Sequence, residues 1–391
     1  MTTGTDTNIC RPLTLWRAPS RPAIATRVAI AGDFLPAGKL PTAAFTSWRD
    51  LAQPLLPHFA GVDTTFLNLE CALDVEGLAS RPLNGIGQIV SAQPNVLDYL
   101  GAIKCRAISF ANNHAYDFGP VGVARTRAAL ESRGFTPIGT GRDLSNPPQI
   151  YVWDGPGRVR VGLWTAARAS RELASRNAAG VEPATIDRAS QALALMKQQG
   201  VTFSIALLHA GTIRTSRPAP EDVALLRRLA KCGFCLVAAS HSHRIAAFES
   251  VVARAGSPSF CFYGLGSIVS GYIASEEERE GLIVTVGFDE AGRLAEIGVQ
   301  PVFLPDSGIG EMPAPWIATR ILDRFRLLSS EISDGSYKSA FYRDVSRGIV
   351  NLYLRDVHAS LRQSGLRGLV RKAARVRLYH VKRLMHRVLA T

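Results

Sequence analysis

From residue 27 to about residue 300, short apolar runs alternate with amphipathic stretches. RVAIAGDF (27–34), TTFLNLE (64–70) and CRAISFANN (105–113) are apolar runs that turn polar only at their C-terminal ends, the pattern of strands buried on both faces. RVRVGLWTA (158–166), TFSIALLHAG (202–211) and FCLVAASHSH (234–243) repeat it. Between them, helical spacing of apolar residues covers Trp48 to Phe59, Pro94 to Ile103, Val121 to Arg133 and residues 221–231. Alternating strands and helices predict an α/β fold, and such sheets bind ligands outside the carboxyl ends of their strands. The polar residues here collect at those ends.

After Pro305 the chain becomes rich in turn formers (PDSGIGEMPAPW) and then helical. This predicts a polar tail over 1–25, a main domain over 26–305 and a helical extension over 306–391. An apolar content of 47% supplies a sizeable core. No stretch is long and apolar enough to span a membrane, and Pro12, Arg17, Pro19, Arg21 and Pro22 interrupt the apolar core a signal peptide requires. The expectation is a cytoplasmic protein. Its cysteines are scattered, and the Cys232-Gly-Phe-Cys235 spacing has no second pair to complete a zinc ribbon and ends a helix instead of starting one, so these thiols read as structural.

The net charge of +13 suggests a nucleic-acid partner only until it is located. Residues 357–391 carry nine Lys or Arg and no Asp or Glu, which leaves +4 for the rest of the chain. Within 366–389, Val370, Ala374, Leu378, Val381, Met385 and Val388 form one apolar helical stripe with basic faces around it. The stripe suits docking on protein or an anionic membrane surface, which would make the protein peripheral at the inner face of the membrane. Nucleic acid ranks last, because no binding fold accompanies the charge. The sequence leaves the oligomeric state open.

The strand ends present Asp33, Glu70, Asn113, His114, His209, His241 and His243. Carboxylates, a carboxamide and imidazoles without thiolates suit a hard or borderline divalent cation such as manganese, zinc or iron. The donors Asp33, Glu70, Asn113, His209, His241 and His243 exceed one tetrahedral shell and match two ions sharing a carboxylate, an arrangement that activates water and stabilises charge on substrate oxygens. In an extended segment, His241 and His243 would point to the same face.

In order, the motifs GDF (32–34), NLE (68–70), ANNHAYDFG (111–119), GTGRD (139–143), HAG (209–211), HSH (241–243) and FYGLGS (262–267) resemble the CapA family of capsule and poly-γ-glutamate biosynthesis proteins. The resemblance spans roughly 26–305, with ANNHAYDFG its most specific element. It implies a fold similar to the calcineurin-like metallophosphoesterases, a metallophosphatase-like αββα sandwich with the helical C-terminal extension. It further implies that Asp33 and His243 hold a first ion, that His209 and His241 hold a second, that Glu70 bridges them, that Asn113 is a further ligand, and that His114 beside it is the general acid or electrostatic stabiliser. Asn112 and Asp117 would orient that pair. In GTGRD, Gly139 and Gly141 read first as a tight turn after the strand FTPIG, and Arg142, which follows them, is the second-ranked reading as a fork for an anionic substrate. The expected function is hydrolysis, by default of a phosphoester, in cell-surface polymer metabolism. The alternative is a non-catalytic component that binds an anionic polymer within a membrane-associated synthesis or export assembly. The chain departs from the pattern at Phe34 and Leu35, where the superfamily's Asp-x-His motif has its histidine, and at Ala210, Ser242 and Ser267. The missing histidine weakens the first ion's site.

Overall fold

In the computed structural model the described residues are 12–40, 47–80, 89–168, 170, 172–253 and 256–346. The strands are β1 (Leu13–Arg17), β2 (Thr26–Gly38), β3 (Thr64–Leu69), β4 (Ala72–Leu73), β5 (Ser91–Ala92), β6 (Cys105–Ser109), β7 (Thr136–Ile138), β8 (Thr140–Arg142) and β9 (Ile150–Asp154). They continue with β10 (Arg160–Ala167), β11 (Gly180–Val181), β12 (Phe203–His209), β13 (Leu236–Ser240), β14 (Phe248–Val252), β15 (Pro258–Phe262), β16 (Ser267–Gly271), β17 (Glu280–Phe288) and β18 (Leu294–Phe303). The α-helices are α1 (Trp48–Leu51), α2 (Leu97–Ala102), α3 (Gly119–Ser132), α4 (Ile186–Gln198), α5 (Pro220–Cys232) and α6 (Pro315–Asp334).

Two large sheets organise these strands. The first runs β1-β18-β17-β2-β3-β6-β7, with β16 also pairing with β2, and the second runs β14-β15-β13-β12-β10-β9. At the centre of the first, β2, β3, β6 and β7 are parallel, as are β10, β12, β13 and β15 in the second. Parallel neighbours need crossovers, and helices supply them, so these strands are buried on both faces and read as near-continuous apolar runs.

Three apolar clusters define the layers. Val28, Ile30, Phe66 and Ala107 of the first sheet meet Leu163, Ile205, Leu207, Leu236 and Phe262 of the second in the inter-sheet core. Phe34, Leu67, Leu69 and Ile108 pack beneath Trp48, Leu51, Leu97 and Leu100 on the outer face of the first sheet. Trp164, Ala206, Leu208 and Val237 do the same beneath Ala192, Met196, Leu226 and Leu229. This is the αββα sandwich expected from the sequence. Alternate residues along β2 serve different layers, and emptying an inter-sheet position such as Phe262 of β15 by Phe262→Ala costs about 3–5 kcal/mol.

The Trp48 to Phe59 stretch is not one α-helix. Ser47 Oγ caps α1 by accepting from Asp50 N at 3.1 Å, and the chain then tightens to a 3-10 helix over Gln53–Phe59. Pro54 and Pro57 lack the N–H groups an α-helix needs there. Cys232 ends α5 ahead of Gly233, whose φ of 129° turns the chain toward β13, and the described cysteines are free thiols. Chain contacts divide the protein into two units, Met1–Lys338 and Ser339–Thr391, and α6 belongs to the first. The basic amphipathic stretch 366–389 lies outside the described residues. No helix of the described residues is long and apolar enough to cross a membrane.

Candidate metal centre

The central parallel strands bring their ends to one place. Asp33 lies within β2 opposite Asn68 of β3, Glu70 follows β3, Asn112 to His114 follow β6, His209 ends β12, and His241 and His243 follow β13. Gly32 allows this convergence. A Cβ there would stand 2.0 Å from the Gly266 carbonyl oxygen, the group that accepts a hydrogen bond from Asp33 N at 3.0 Å. Only glycine lets the backbone approach so closely.

Buried amides hold the carboxylate in place. Asn68 Nδ2 donates to Asp33 Oδ1 at 2.8 Å, and Asn68 Oδ1 accepts from Asn112 Nδ2 at 3.1 Å. Asn112 also donates to Leu69 O at 2.7 Å and accepts from His114 N at 3.0 Å. Asp33, Asn68 and Asn112 are each at most 1% exposed, so each relies on the others. Asn112 therefore ties two strand ends and the His114 backbone together, the orienting role expected of it. Asn68 was missed by the sequence reading. Its signal was a polar side chain on a strand buried at every position.

Two groups of donors form, and they share one residue. Glu70, His209 and His241 offer ligand atoms within 4.8 Å of one another, as do Asp33, Glu70 and His243. Glu70 Oε1 lies 3.4 Å from His209 Nε2, and its Oε2 lies 3.7 Å from His243 Nδ1. Asn113 joins the first group through Oδ1, 2.6 Å from His209 Nε2. His243 Nδ1 stands 3.3 Å from Asp33 Oδ2 in the second.

His241 and His243 do not lie on an extended segment, contrary to the expectation from their spacing. β13 ends at Ser240, and both histidines have left-handed backbone, with φ of 111° and 55°. Asp33 Oδ2 accepts the His241 N–H at 3.1 Å and holds the turn. Its consequence is that the two rings serve different groups, with His241 stacking obliquely on His209 at 4.5 Å between centroids. Strain in a non-glycine backbone of this kind persists only where the surroundings fix it.

The electrostatics suit a cation. Glu70 Oε1 and Oε2, His241 Nδ1 and His243 Nδ1 are all buried without a hydrogen-bond partner. A stranded buried polar group costs about 1–3 kcal/mol, so four in one cavity fit residues built to ligate. Burial alone would raise the Asp33 carboxyl, but the His243 ring 3.3 Å away and the charge of His209 hold it well below the usual range. Burial opposes a proton on His243, yet Glu70 and Asp33 push it up to about 9. Burial and its histidine neighbours instead keep His241 well below the ordinary imidazole value. The buried carboxylates favour positive charge beside them.

His114 is separate from the donors and points its Nδ1 at Asp117 Oδ2, 2.8 Å away. Asp117 also accepts from Val90 N at 2.8 Å, so the carboxylate is fixed. Burial works against a charged His114, but the Asp117 hydrogen bond and the charge of Glu70 prevail and raise its pKa. Arg142 does not join this constellation. It is exposed on β8 and lines a cleft of about 490 Å³ with Tyr116, Arg127 and Gln149, a cleft to which none of the donors contributes. The glycines just before it, Gly139 at φ 92° and Gly141 at φ 84°, make the turn the sequence suggested, and Arg142 pairs with β11. Leu35, where the superfamily's histidine would stand, is 3% exposed and packs into the outer core beside Phe34. The Asp33 group thus gains no donor from Leu35.

The family model "Bacterial capsule synthesis protein PGA_cap" matches residues 27–272, which contain every donor. Probable polyglutamine synthesis accessory proteins from two strains of Mycobacterium tuberculosis are each 29% identical over 259 residues, covering 61% of this chain. The chain spans 66% of the length of those relatives. Among solved structures, a 5'-nucleotidase precursor from Thermus thermophilus aligns at TM-score 0.43 with 17% identity, over 76% of this chain and 57% of that one. A putative 5'-nucleotidase from Staphylococcus aureus aligns at 0.44 with 13% identity, over 76% and 58%.

Proposed function

The chain belongs to the bacterial capsule synthesis protein family, and from that membership we propose that it is a metal-dependent hydrolase, a phosphoesterase by default, acting in the metabolism of an anionic surface polymer. The observation that carries this reading is the pair of donor groups sharing Glu70, with its two carboxylate oxygens buried and unpartnered. Asp33, Glu70 and His243 would hold one divalent ion, and Glu70, Asn113, His209 and His241 a second. Bound there, such ions supply Lewis acidity toward a substrate oxygen and make water a stronger nucleophile.

The remaining work falls to the chain's own groups. Asn68 and Asn112 fix Asp33 through hydrogen bonds that leave it no freedom to rotate away. His114 keeps Nδ1 on Asp117, which leaves Nε2 to carry a proton toward the leaving group. The surface-polymer link is drawn from the capsule synthesis family, and the phosphoester from analogy with the metallophosphoesterase fold.

A second reading has one observation in its favour. With Leu35 in the core, the Asp33 group has three donors, which suits a non-catalytic polymer-binding component in a membrane-associated assembly. Turnover of a phosphoester panel by manganese- or zinc-loaded protein distinguishes the two, with metal content measured on the same samples by elemental mass spectrometry. Loss of turnover in His114→Ala with metal retained supports the hydrolase. Absence of metal in the wild-type chain after incubation with either ion removes that reading.

A further inference from the structure

The loop after β12 and the turn after β13 carry two arginines that the metal groups do not use. Arg214 N donates to Ser242 O at 2.9 Å, so its backbone is fastened to the residue between His241 and His243. Its side chain is 58% exposed, and its Nε lies 3.2 Å from Glu278 Oε1. Arg244 directly follows His243. Its Nη2 donates to Ser275 Oγ at 2.9 Å and stands 3.6 Å from Glu277 and 3.9 Å from Glu278. Glu278 is 3% exposed and accepts from Ala274 N at 2.9 Å, so a fixed carboxylate gathers both guanidinium groups beside the metal turn, close enough to act on the charge of His243.

Neighbouring arginines on the same rim are committed differently. Arg217 gives Nε and Nη2 to Glu331 at 2.7 and 2.8 Å, and Arg168 is paired with Asp222. Arg214 meets its carboxylate through Nε, and its side chain stays more than half exposed on a loop whose Ile213 is also exposed. A planar fork held at its stem and open at its tip suits recognition of a planar or tetrahedral anion.

We propose that Arg214 and Arg244 form an anion-recognising edge of the site, which takes a non-reacting carboxylate or phosphate of a polyanionic substrate. The identity of the reacting bond rests on the hydrolase reading above, but the edge is read by binding alone. The experiment is fluorescence anisotropy of dye-labelled tetraglutamate on the full chain loaded with manganese, with unlabelled tetraglutamine and tripolyphosphate as competitors.

The expected result is displacement by tripolyphosphate or unlabelled tetraglutamate but not by tetraglutamine. Arg214→Ala weakens binding about tenfold and Arg214→Lys by less, since it keeps the charge and loses the fork, while both variants keep the wild-type melting temperature. The tighter of the two anions assigns the edge to carboxylate or to phosphate. Equal affinity of wild type and Arg214→Ala, effective competition by tetraglutamine, or no binding of either anion would each overturn the proposal. Arg214-dependent binding without turnover keeps the edge and rejects the hydrolase, whereas turnover with Arg214-independent binding does the reverse.

Discussion

Replacing Asn112 by alanine tests whether the amide network, rather than the strands alone, sets the donor positions. Asn112 makes three hydrogen bonds at zero exposure: to Asn68 Oδ1, to Leu69 O and from His114 N. Each bond is worth about 1 kcal/mol net, and each partner left dry costs about 1–3 kcal/mol. Asn112→Ala should therefore lose about 3 kcal/mol if water enters the gap and more if it does not. Asn112→Asp is almost the same shape, and its carboxylate would still accept from His114 N. Its other oxygen, however, would face the acceptors Asn68 Oδ1 and Leu69 O, so Asp should be no better than Ala. Guanidinium denaturation in the presence of a chelator, followed by tryptophan fluorescence, reads the stability without a contribution from bound ions. Manganese titration of the same variants should show weaker binding, because Asn68 is released from its partner and Asp33 from Asn68. Stability within about 0.5 kcal/mol of wild type for Ala, or an Asp variant equal to wild type, would refute the network's role.

Single ligand variants should separate the two donor groups. His243→Ala and His241→Ala should each leave about one ion per chain by elemental mass spectrometry, while Glu70→Ala should leave neither; equal losses from all three would contradict a shared Glu70. His114→Ala should slow hydrolysis of an alkyl phosphoester by about 10²–10⁴ and affect a p-nitrophenyl ester much less, since a good leaving group needs little protonation. Equal slowing of both substrates would count against proton donation by His114. Gly32→Ala should destabilise the fold by about 1–3 kcal/mol or more, because its Cβ would meet the Gly266 carbonyl; an unchanged denaturation midpoint would show that the backbones can part freely.

Much of the fold was legible in the sequence because its information is local. Apolar runs such as TFSIALLHAG announce strands buried on both faces, and the polar residues ending them stand out against that background. The ligand types and their place at strand ends follow from the same contrast. The roles given to Asp33, Glu70, Asn113, His209, His241 and His243 came from the resemblance of their motifs to a known family, and the structure gathers all of them at one site. Asn68 stayed hidden although its polarity was visible, since its partners Asp33 and Asn112 are distant in sequence. Arg142 had the chemistry to grip an anion, though its segment read first as a turn, and it lines a different cleft, with two left-handed glycines leading into its pairing with β11.

The sequence by itself determined the alternation of strands and helices, the buried character of the sheets and the identity of the donors, all of which depend on each residue's own hydropathy and chemistry. Only the tertiary structure decided the backbone path by which those donors divide. His241 and His243 are two residues apart and would share a face in any extended strand. Asp33, more than two hundred positions earlier, accepts the His241 N–H and sends the chain through two left-handed residues, so the rings part into different groups on either side of Glu70. Local preference opposes that backbone, and contacts distant in sequence stabilise it.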